Sequence, residues 1–187
     1  MVPLTSLWLP ILLSAVAVFV ASSFLHMVLK YHHGDFRKVP DEEGMRAALR
    51  PFDLAPGDYH VPGKEPGQKW NDPAILERMK QGPVALITVV PAGAPNMGPA
   101  LAQWFVYSLL VGLFVAYVTG GLIGPGAEYL HVHRYAGTVA FAGYGLALVQ
   151  SSIWYNRSWS VTLKSVFDAL VYALVTGGVF GWLWPSI

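Results

Sequence analysis

The sequence predicts an all-α membrane bundle of four transmembrane helices, with a small α+β insert between the first and second helices. Three observations support this fold class. Hydrophobic residues make up 54 % of the 187 residues and charged residues only 12 %, whereas a soluble domain carries about 25 % charged residues. Four apolar stretches reach the length of about 20 residues that a helix needs to cross a bilayer. Nine of the eleven acidic residues lie between Asp35 and Glu77, so the charge forms one block.

The four apolar stretches cover approximately residues 7–29, 99–123, 135–154 and 165–184. They divide the chain into a first transmembrane helix within residues 1–30, an insert over residues 31–98, and a three-helix region over residues 99–187. Tryptophan and tyrosine side chains flank the stretches, as in the aromatic belts of membrane proteins. No Lys or Arg precedes the first stretch, although a signal peptide has a basic N-terminal region. We therefore expect a permanent first span.

The distribution of basic residues predicts an orientation. Short cytoplasmic loops of membrane proteins carry an excess of Lys and Arg. Lys30, Arg37 and Lys38 follow the first span, and Arg157 and Lys164 lie between the third and fourth spans. This alternation predicts a multi-pass protein of the bacterial inner membrane, with the insert in the cytoplasm and both termini outside.

Small residues recur along three of the spans and predict close helix packing. Lipid is as apolar as leucine, so membrane helices associate largely where small residues let their backbones approach. The predicted packing positions are Gly112, Ala116 and Gly120 in the second span, Gly143 and Ala147 in the third, and Ala173, Gly177 and Gly181 in the fourth. The stripe of the second span continues to Gly124. The first span has only a short Ala17 and Ala21 pair, and we expect it to lie more peripherally.

The insert has the composition of a small folded unit. The sequence PDEEGMRAALR predicts a short helix, and NDPAILERMKQG predicts a second helix capped by Asn71 or Asp72. Pro56 and Gly57 predict a type II turn. The β-branched run Pro83–Val90 is too short to span a membrane, and it predicts a strand that pairs with Tyr59–Val61.

Three segments resemble a known family. They are LWLPILLSAVAVFVASSFLHMVLKYHHGDF, QGPVALITVVPAGAPNMGPALAQWFVYSLLVGLFVAYV and FDALVYALVTGGVFGWLWP. Over almost its whole length, the chain resembles a family of bacterial four-helix inner-membrane proteins of unassigned function. The resemblance implies the four-helix architecture and implies no reaction.

The end of the first span contains the first group of candidate metal ligands, His26, His32, His33 and Asp35. In a helix, His26 and His33 share a face and His32 lies about 100° away. A divalent transition metal needs three or four such ligands that converge. The alternative interpretation is a set of interfacial imidazoles where a helix leaves the membrane, beside the snorkelling side chain of Lys30.

A second group of candidate ligands, Glu128, His131 and His133, lies between the second and third spans. In an extended chain His131 and His133 point the same way and could chelate a metal. In a helix they diverge by about 200°. The alternative to a metal site is a solvated interfacial turn.

Two polar residues lie within the predicted spans. Asp168 is the only acidic residue there, and intramembrane acids are candidates for function. Lys164 lies one helical turn earlier, so a local ion pair is the competing interpretation. Gln150 extends the small-residue face of the third span and is expected to bond a neighbouring helix.

The sequence indicates no reaction. It has no cysteine, no Gly-rich phosphate loop and no nucleophile–histidine–acid motif, and its net charge of +1 does not indicate nucleic-acid binding. We therefore expect a non-catalytic accessory or scaffolding subunit, with the lipid bilayer and either protein partners or further copies of the chain around it. A small-solute carrier or channel, and a metal- or quinone-linked redox protein, are the alternatives. No cofactor is predicted, although a metal is possible.

Overall fold

The computed structural model of the protein describes residues 1–186. The helices and strands, in chain order, are α1 (Trp8–Met27), α2 (Glu42–Leu49), β1 (Gly57–Val61), α3 (Pro73–Gln81), β2 (Ala85–Val89), α4 (Met97–Leu122), α5 (Tyr129–Tyr144), α6 (Val149–Tyr155) and α7 (Trp159–Trp182). They divide into a helical unit, Met1–Phe36 with Asn96–Ile187, and a second unit, Arg37–Pro95. Residues 31–36 thus belong to the helical unit and not to the insert.

Four helical segments are long and apolar enough to cross a membrane. They are Leu4–Met27, Met97–Leu122, Tyr129–Tyr155 and Trp159–Trp182. The predicted number of helices long and apolar enough to span a membrane is confirmed, and four such helices are typical of a multi-pass membrane protein. The third segment begins at Tyr129, six residues before the predicted start at Tyr135. Residues 129–134, which we expected in the loop between the second and third spans, are therefore helical.

The four long helices pack in a ring. The most extensive contact joins α5 and α7, and further contacts join α1 to α4, α1 to α7, and α4 to α5. The expectation of a peripheral first span is wrong, because α1 packs against two neighbours. Its small residues Ser14, Ala15 and Ser22 are buried at these contacts, although they do not form the regular four-residue stripe on which the expectation rested.

Several of the small residues lie where the helices approach most closely. A Cβ atom added at Gly177 would lie 2.8 Å from the carbonyl oxygen of His133 in α5. One added at Gly181 would lie 2.8 Å from the Tyr129 ring, and one at Gly112 would lie 3.4 Å from Ile11 in α1. Ala116 and Ala173 are also buried. These stripes therefore face protein, and α5 and α7 approach too closely for a side chain at Gly177.

Not all members of the stripes pack in this way. Gly124 lies beyond the end of α4, and a Cβ atom added there would meet nothing within 4 Å. Ala147 is exposed, since it lies in a 3-10 segment between α5 and α6. Gly143 is also exposed, but it approaches Val111 of α4. The stripe of the third span therefore ends where its α-helix ends.

The third span is not one continuous α-helix. The α-helix ends at Tyr144, a 3-10 segment covers Leu146–Leu148, and α6 follows. The Tyr107 hydroxyl donates a hydrogen bond of 2.6 Å to the carbonyl oxygen of Gly143 at this point. A side chain that bonds a helix carbonyl is a recognised cause of a local helix break. The break was not expected from the sequence.

The second unit follows the sequence prediction closely. Asp41 caps α2 by accepting a hydrogen bond from the Gly44 amide, and Asp72 caps α3 by accepting one from the Ala74 amide. Strands β1 and β2 pair antiparallel, with His60 opposite Leu86. The predicted type II turn at Pro56 and Gly57 is wrong, because Gly57 begins β1 and its φ is not positive.

The second unit has very little core. Ile75 is its one fully buried hydrophobic residue, within Arg37–Pro95 as the structure describes it. Large apolar side chains are exposed, among them Phe52, Leu86 and Val90. A two-stranded sheet is at best marginally stable in water unless it packs against further structure.

The close approach of α5 and α7 predicts that Gly177→Ala lowers the stability of the protein. The added methyl group meets the backbone of α5, so the helices must separate, and we expect a loss of about 1–3 kcal/mol of stability. Gly121→Ala is the matched control. It adds the same methyl group to a helix at a position with nothing within 4 Å, and it should leave stability unchanged or raise it by up to about 1 kcal/mol. Thermal unfolding in detergent measures both. Equal stability of the two variants would contradict this packing of α5 on α7.

Candidate functional site

A cluster of polar side chains lies at one end of the helical bundle. After α1 ends at Met27, a 3-10 turn covers Lys30–His32, and the chain reaches Asp35 before leaving the helical unit. The first turns of α7 lie against this segment. Residues separated by 136 positions in the sequence therefore meet at hydrogen-bonding distance.

Asp168 of α7 is the centre of this cluster. Its side chain is 5 % exposed. One carboxylate oxygen accepts a hydrogen bond from the Tyr31 hydroxyl. The other lies 2.9 Å from His32 Nε2. A buried carboxylate needs such donors, because an ionised group without partners is very costly in apolar surroundings.

His32 joins two carboxylates. Its Nδ1 lies 2.6 Å from an Asp35 carboxylate oxygen, and its Nε2 lies 2.9 Å from an Asp168 carboxylate oxygen. Lys164 completes the chain, because its Nζ donates to the Asp35 carboxylate at 2.7 Å and to the Tyr31 carbonyl oxygen at 2.6 Å. Each ring nitrogen of His32 thus faces a carboxylate oxygen, and Lys164 brings a positive charge to the Asp35 side of the cluster.

The local ion pair expected between Lys164 and Asp168 is not formed. Although the two residues are one helical turn apart in α7, Lys164 turns towards Asp35. Asp168 pairs with His32 from the other end of the chain. The interaction thus joins α7 to the segment after α1 and does not stabilise α7 alone.

The pKa values of Asp35 and Tyr31, which lie outside the spans, are shifted by these contacts. The hydrogen bonds from Lys164 and His32 lower the pKa of Asp35 from its ordinary value of 3.8. Burial, followed by the hydrogen bond to Asp168, raises the pKa of Tyr31 well above its usual range. Asp35 is therefore an anion at neutral pH, and Tyr31 keeps the proton that it donates.

His26, in the last turn of α1, lies at the edge of the cluster. Its Nδ1 is 3.0 Å from the Ser22 carbonyl oxygen, and its Nε2 is 3.8 Å from Asp168 Oδ2. The ring stacks on that of His32 with centroids 4.7 Å apart and an interplanar angle of 3°. Its side chain is 52 % exposed, whereas that of His32 is 14 % exposed.

The first group of candidate ligands is brought together in part. His26 and His32 converge, and Asp168 joins them, so that one ligand atom of each lies within 4.8 Å of the others. Asp35 bonds the far nitrogen of His32 and does not face the same point. His33 is exposed and shares no hydrogen bond with the cluster within residues 1–186.

The second group does not converge. His131 and His133 both lie in α5, so the helical alternative applies and their side chains diverge. The exposed His131 ring packs on Tyr135, while the His133 ring stacks on Tyr129. Glu128 immediately precedes the helix and makes no ion pair in the part of the chain that the structure describes. These residues therefore do not share a metal site, and they do not form a solvated turn either, because both histidines lie in α5 and His133 Nδ1 is buried with no hydrogen-bond partner among the described residues.

Gln150 does not bond a neighbouring helix as expected. It lies in α6, after the break in the third span, and its side chain is exposed with no hydrogen bond to any described residue. The change of helix type at Leu146–Leu148 is the reason, because it rotates α6 relative to the small-residue face of α5.

Comparisons with protein-family models, with curated sequences and with solved structures gave no match to this chain. A proposal about its function therefore depends on the fold and on the polar cluster around Asp168.

The pairing of Asp35 predicts a loss of stability in acid. Because its pKa in the folded state lies below the ordinary 3.8, its pairing contributes fully above about pH 4 and is lost as pH falls through the lower folded value. We expect wild type to be more stable than Asp35→Asn at neutral pH, by a margin that is constant above about pH 5 and shrinks below pH 4. Thermal unfolding in detergent from pH 3 to pH 7 measures it. A margin that does not change with pH would contradict the pairing.

Proposed function

We propose that the chain is a non-catalytic multi-pass protein of the bacterial inner membrane that works as an accessory or scaffolding subunit of a larger membrane complex. The small core of the second unit, Arg37–Pro95, carries this proposal. A unit with one fully buried hydrophobic residue, Ile75, cannot offset the conformational entropy of ordering its chain by burial alone. It needs a further surface to pack against.

The exposed apolar side chains of this unit are suited to packing against a partner surface. Phe52 is 68 % exposed and Val90 is 71 % exposed, and Leu86 projects from the exposed face of the hairpin. Large aromatic and aliphatic side chains of this kind are the residues that fill pockets at the centre of protein interfaces.

The charge of the second unit favours a protein over a membrane surface. The unit contains eight basic and eight acidic side chains, so its net charge is zero. Attraction to anionic lipids depends on clusters of basic residues, in which each Lys or Arg contributes about 1 kcal/mol. A neutral unit gains little from that attraction, whereas a protein partner can match its mixed charges and its apolar side chains.

The alternatives have less support. For a carrier, the break in the third span is the favourable feature, since discontinuous helices form many transport sites. A surface cleft of about 480 Å³ between the segment after α1 and α7 is nevertheless lined mostly by apolar side chains such as Leu29, Leu163 and Phe167. A redox role would rest on a metal held by the histidine cluster, and the chain has no cysteine to add a thiolate ligand.

The orientation and the family belong to the same proposal. Basic residues lie after the first span and before the fourth, which supports a cytoplasmic second unit with both termini outside. Membership of a family of bacterial four-helix inner-membrane proteins of unassigned function is part of this proposal.

Single cysteines test the orientation, and the chain has no native cysteine to interfere. We expect Glu128→Cys to react with a membrane-impermeant maleimide in intact cells and Met45→Cys to react only after the membrane is permeabilised. Both positions are exposed in the structure. Labelling of Met45→Cys in intact cells would exclude the proposed orientation.

Gentle extraction tests the partner role. We expect the wild-type chain, extracted with its surrounding lipid and run under native conditions, to migrate with a second protein that mass spectrometry identifies. The double variant Phe52→Ser, Val90→Ser should lose most of this comigration, because it removes two exposed apolar side chains.

The control variant is Glu77→Gln, in the same unit, which changes a charge but no apolar surface and should keep the partner. A wild-type chain that migrates alone, or only as copies of itself, would overturn the proposal of a larger complex of different proteins.

A further inference from the structure

We propose that His26, His32 and Asp168 form a binding site for one first-row divalent transition-metal ion. The site lies where α1 ends and α7 begins, and it does not depend on the proposed partner role. Two ligands on a tetrahedral metal with bonds of about 2.1 Å are about 3.4 Å apart. The separations from Asp168 Oδ2, 2.9 Å to His32 Nε2 and 3.8 Å to His26 Nε2, lie on either side of that value.

The hydrogen bond of His26 supports a cation at this point. Its Nδ1 donates to the Ser22 carbonyl oxygen, so in the neutral ring Nε2 carries a lone pair. That lone pair lies 3.8 Å from a carboxylate oxygen of Asp168. A positive charge between these two atoms, either a proton on Nε2 or a metal ion, would stabilise their approach. A bound metal ion supplies that charge and uses both acceptors as ligands.

Each of the three ligands also has an outer partner. Metal-binding histidines donate their second ring nitrogen to a carboxylate or a backbone carbonyl, which fixes the ring and its tautomer. His32 has Asp35 in this position and His26 has the Ser22 carbonyl oxygen. The second oxygen of Asp168 accepts from Tyr31. A purely structural ion network explains the contacts of His32 but not the second, matching arrangement at His26.

The donor set indicates the class of metal. Calcium and magnesium prefer oxygen ligands alone, and copper(I) prefers sulfur. Two imidazoles and one carboxylate with open positions suit Zn²⁺, Fe²⁺ and similar ions. Metal binding uses the His32 ring with Nε2 unprotonated, any proton on that nitrogen being released to water, and it leaves the contact between His32 Nδ1 and Asp35 in place.

The site is open on the side of His26. The His26 side chain is 52 % exposed, whereas that of Asp168 is 5 % exposed. The rings of His26 and His32 are parallel, so the His26 ring must tilt for both Nε2 lone pairs to reach one ion. An exposed ring at the end of a helix can make this movement, and the open side leaves room for water as the remaining ligands.

Metal titration of the full-length chain, purified in detergent without a histidine tag, tests the proposal. We expect one Co²⁺ per chain, detected by its visible absorption, and displacement by one Zn²⁺. His26→Ala should weaken Zn²⁺ binding at least tenfold without changing the thermal stability of the metal-free protein, because His26 is outside the buried ion network. His33→Ala and His131→Ala are the matched controls and should bind Zn²⁺ as wild type does.

Two further variants, His26→Phe and Asp35→Asn, separate the loss of a ligand from a loss of stability. If His26→Ala lowers the stability of the metal-free protein, His26→Phe retains the ring on His32 but has no ligand atom, and it should lose binding in the same way. Asp35→Asn should weaken Zn²⁺ binding about 10- to 100-fold through His32. A wild-type chain that binds no Co²⁺ or Zn²⁺ in a one-to-one ratio, or a His26→Phe variant that binds as wild type does, would overturn the proposal.

Discussion

A buried carboxylate in an apolar bundle is the constraint on which the rest of this structure depends. Asp168 is enclosed among helices that otherwise contain almost no charge, and an ionised side chain there is stable only with donors around it. Tyr31 and His32 provide them. To reach Asp168, the segment after α1 must fold back against α7 and must not continue away from the bundle. This polar contact adds to the packing that holds α1 beside α7.

The opposite side of the ring uses a different kind of interaction. Between α5 and α7 the close contact depends on glycines. Gly177 packs against the backbone of His133, and Gly181 packs against the ring of Tyr129. Polar pairing is specific but needs a closed set of partners, while close packing is available wherever small residues recur. One polar contact and several packed ones are together sufficient to set the order of four similar helices around the ring.

The sequence predicted the features that depend on local patterns. The four spans follow from the length of their apolar runs, and the starts of α2 and α3 follow from Asp41 and Asp72, whose capping bonds reach only two or three residues along the chain. The small-residue stripes correctly indicated close packing at Gly112 and Gly177. Ala147, which belongs to the predicted stripe of the third span, is exposed and does not take part in this packing. The expectation of a peripheral first span was wrong because it rested on Ala17 and Ala21, whereas the buried face of α1 is formed by Ser14, Val18 and Ser22, which lie four residues apart.

The candidate site was predictable only in part, for a physical reason. His26, His32 and Asp168 each appear in the sequence as candidates, but their meeting depends on contacts over 136 positions that no local pattern encodes. Lys164, one turn before Asp168, was a misleading local signal. The useful signal was the presence of one acidic residue in the spans, since a buried acid needs a partner from somewhere in the fold. His131 and His133 lie on different faces because α5 begins at Tyr129, earlier than the apolar run indicates, and therefore includes both of them.

The contact between Asp168 and the segment after α1 also predicts an order in which the helices would enter a membrane. An isolated aspartate raises the free energy of inserting a helix by about 2.5–3.5 kcal/mol at the bilayer centre, and by less near the boundary. The ribosome makes Tyr31 and His32 well before α7, so both donors are in place when Asp168 arrives. Entry of the last helix into the bilayer and closure of the ring can then occur together. The hydrogen bonds of the finished bundle offset a cost that α7 alone would bear.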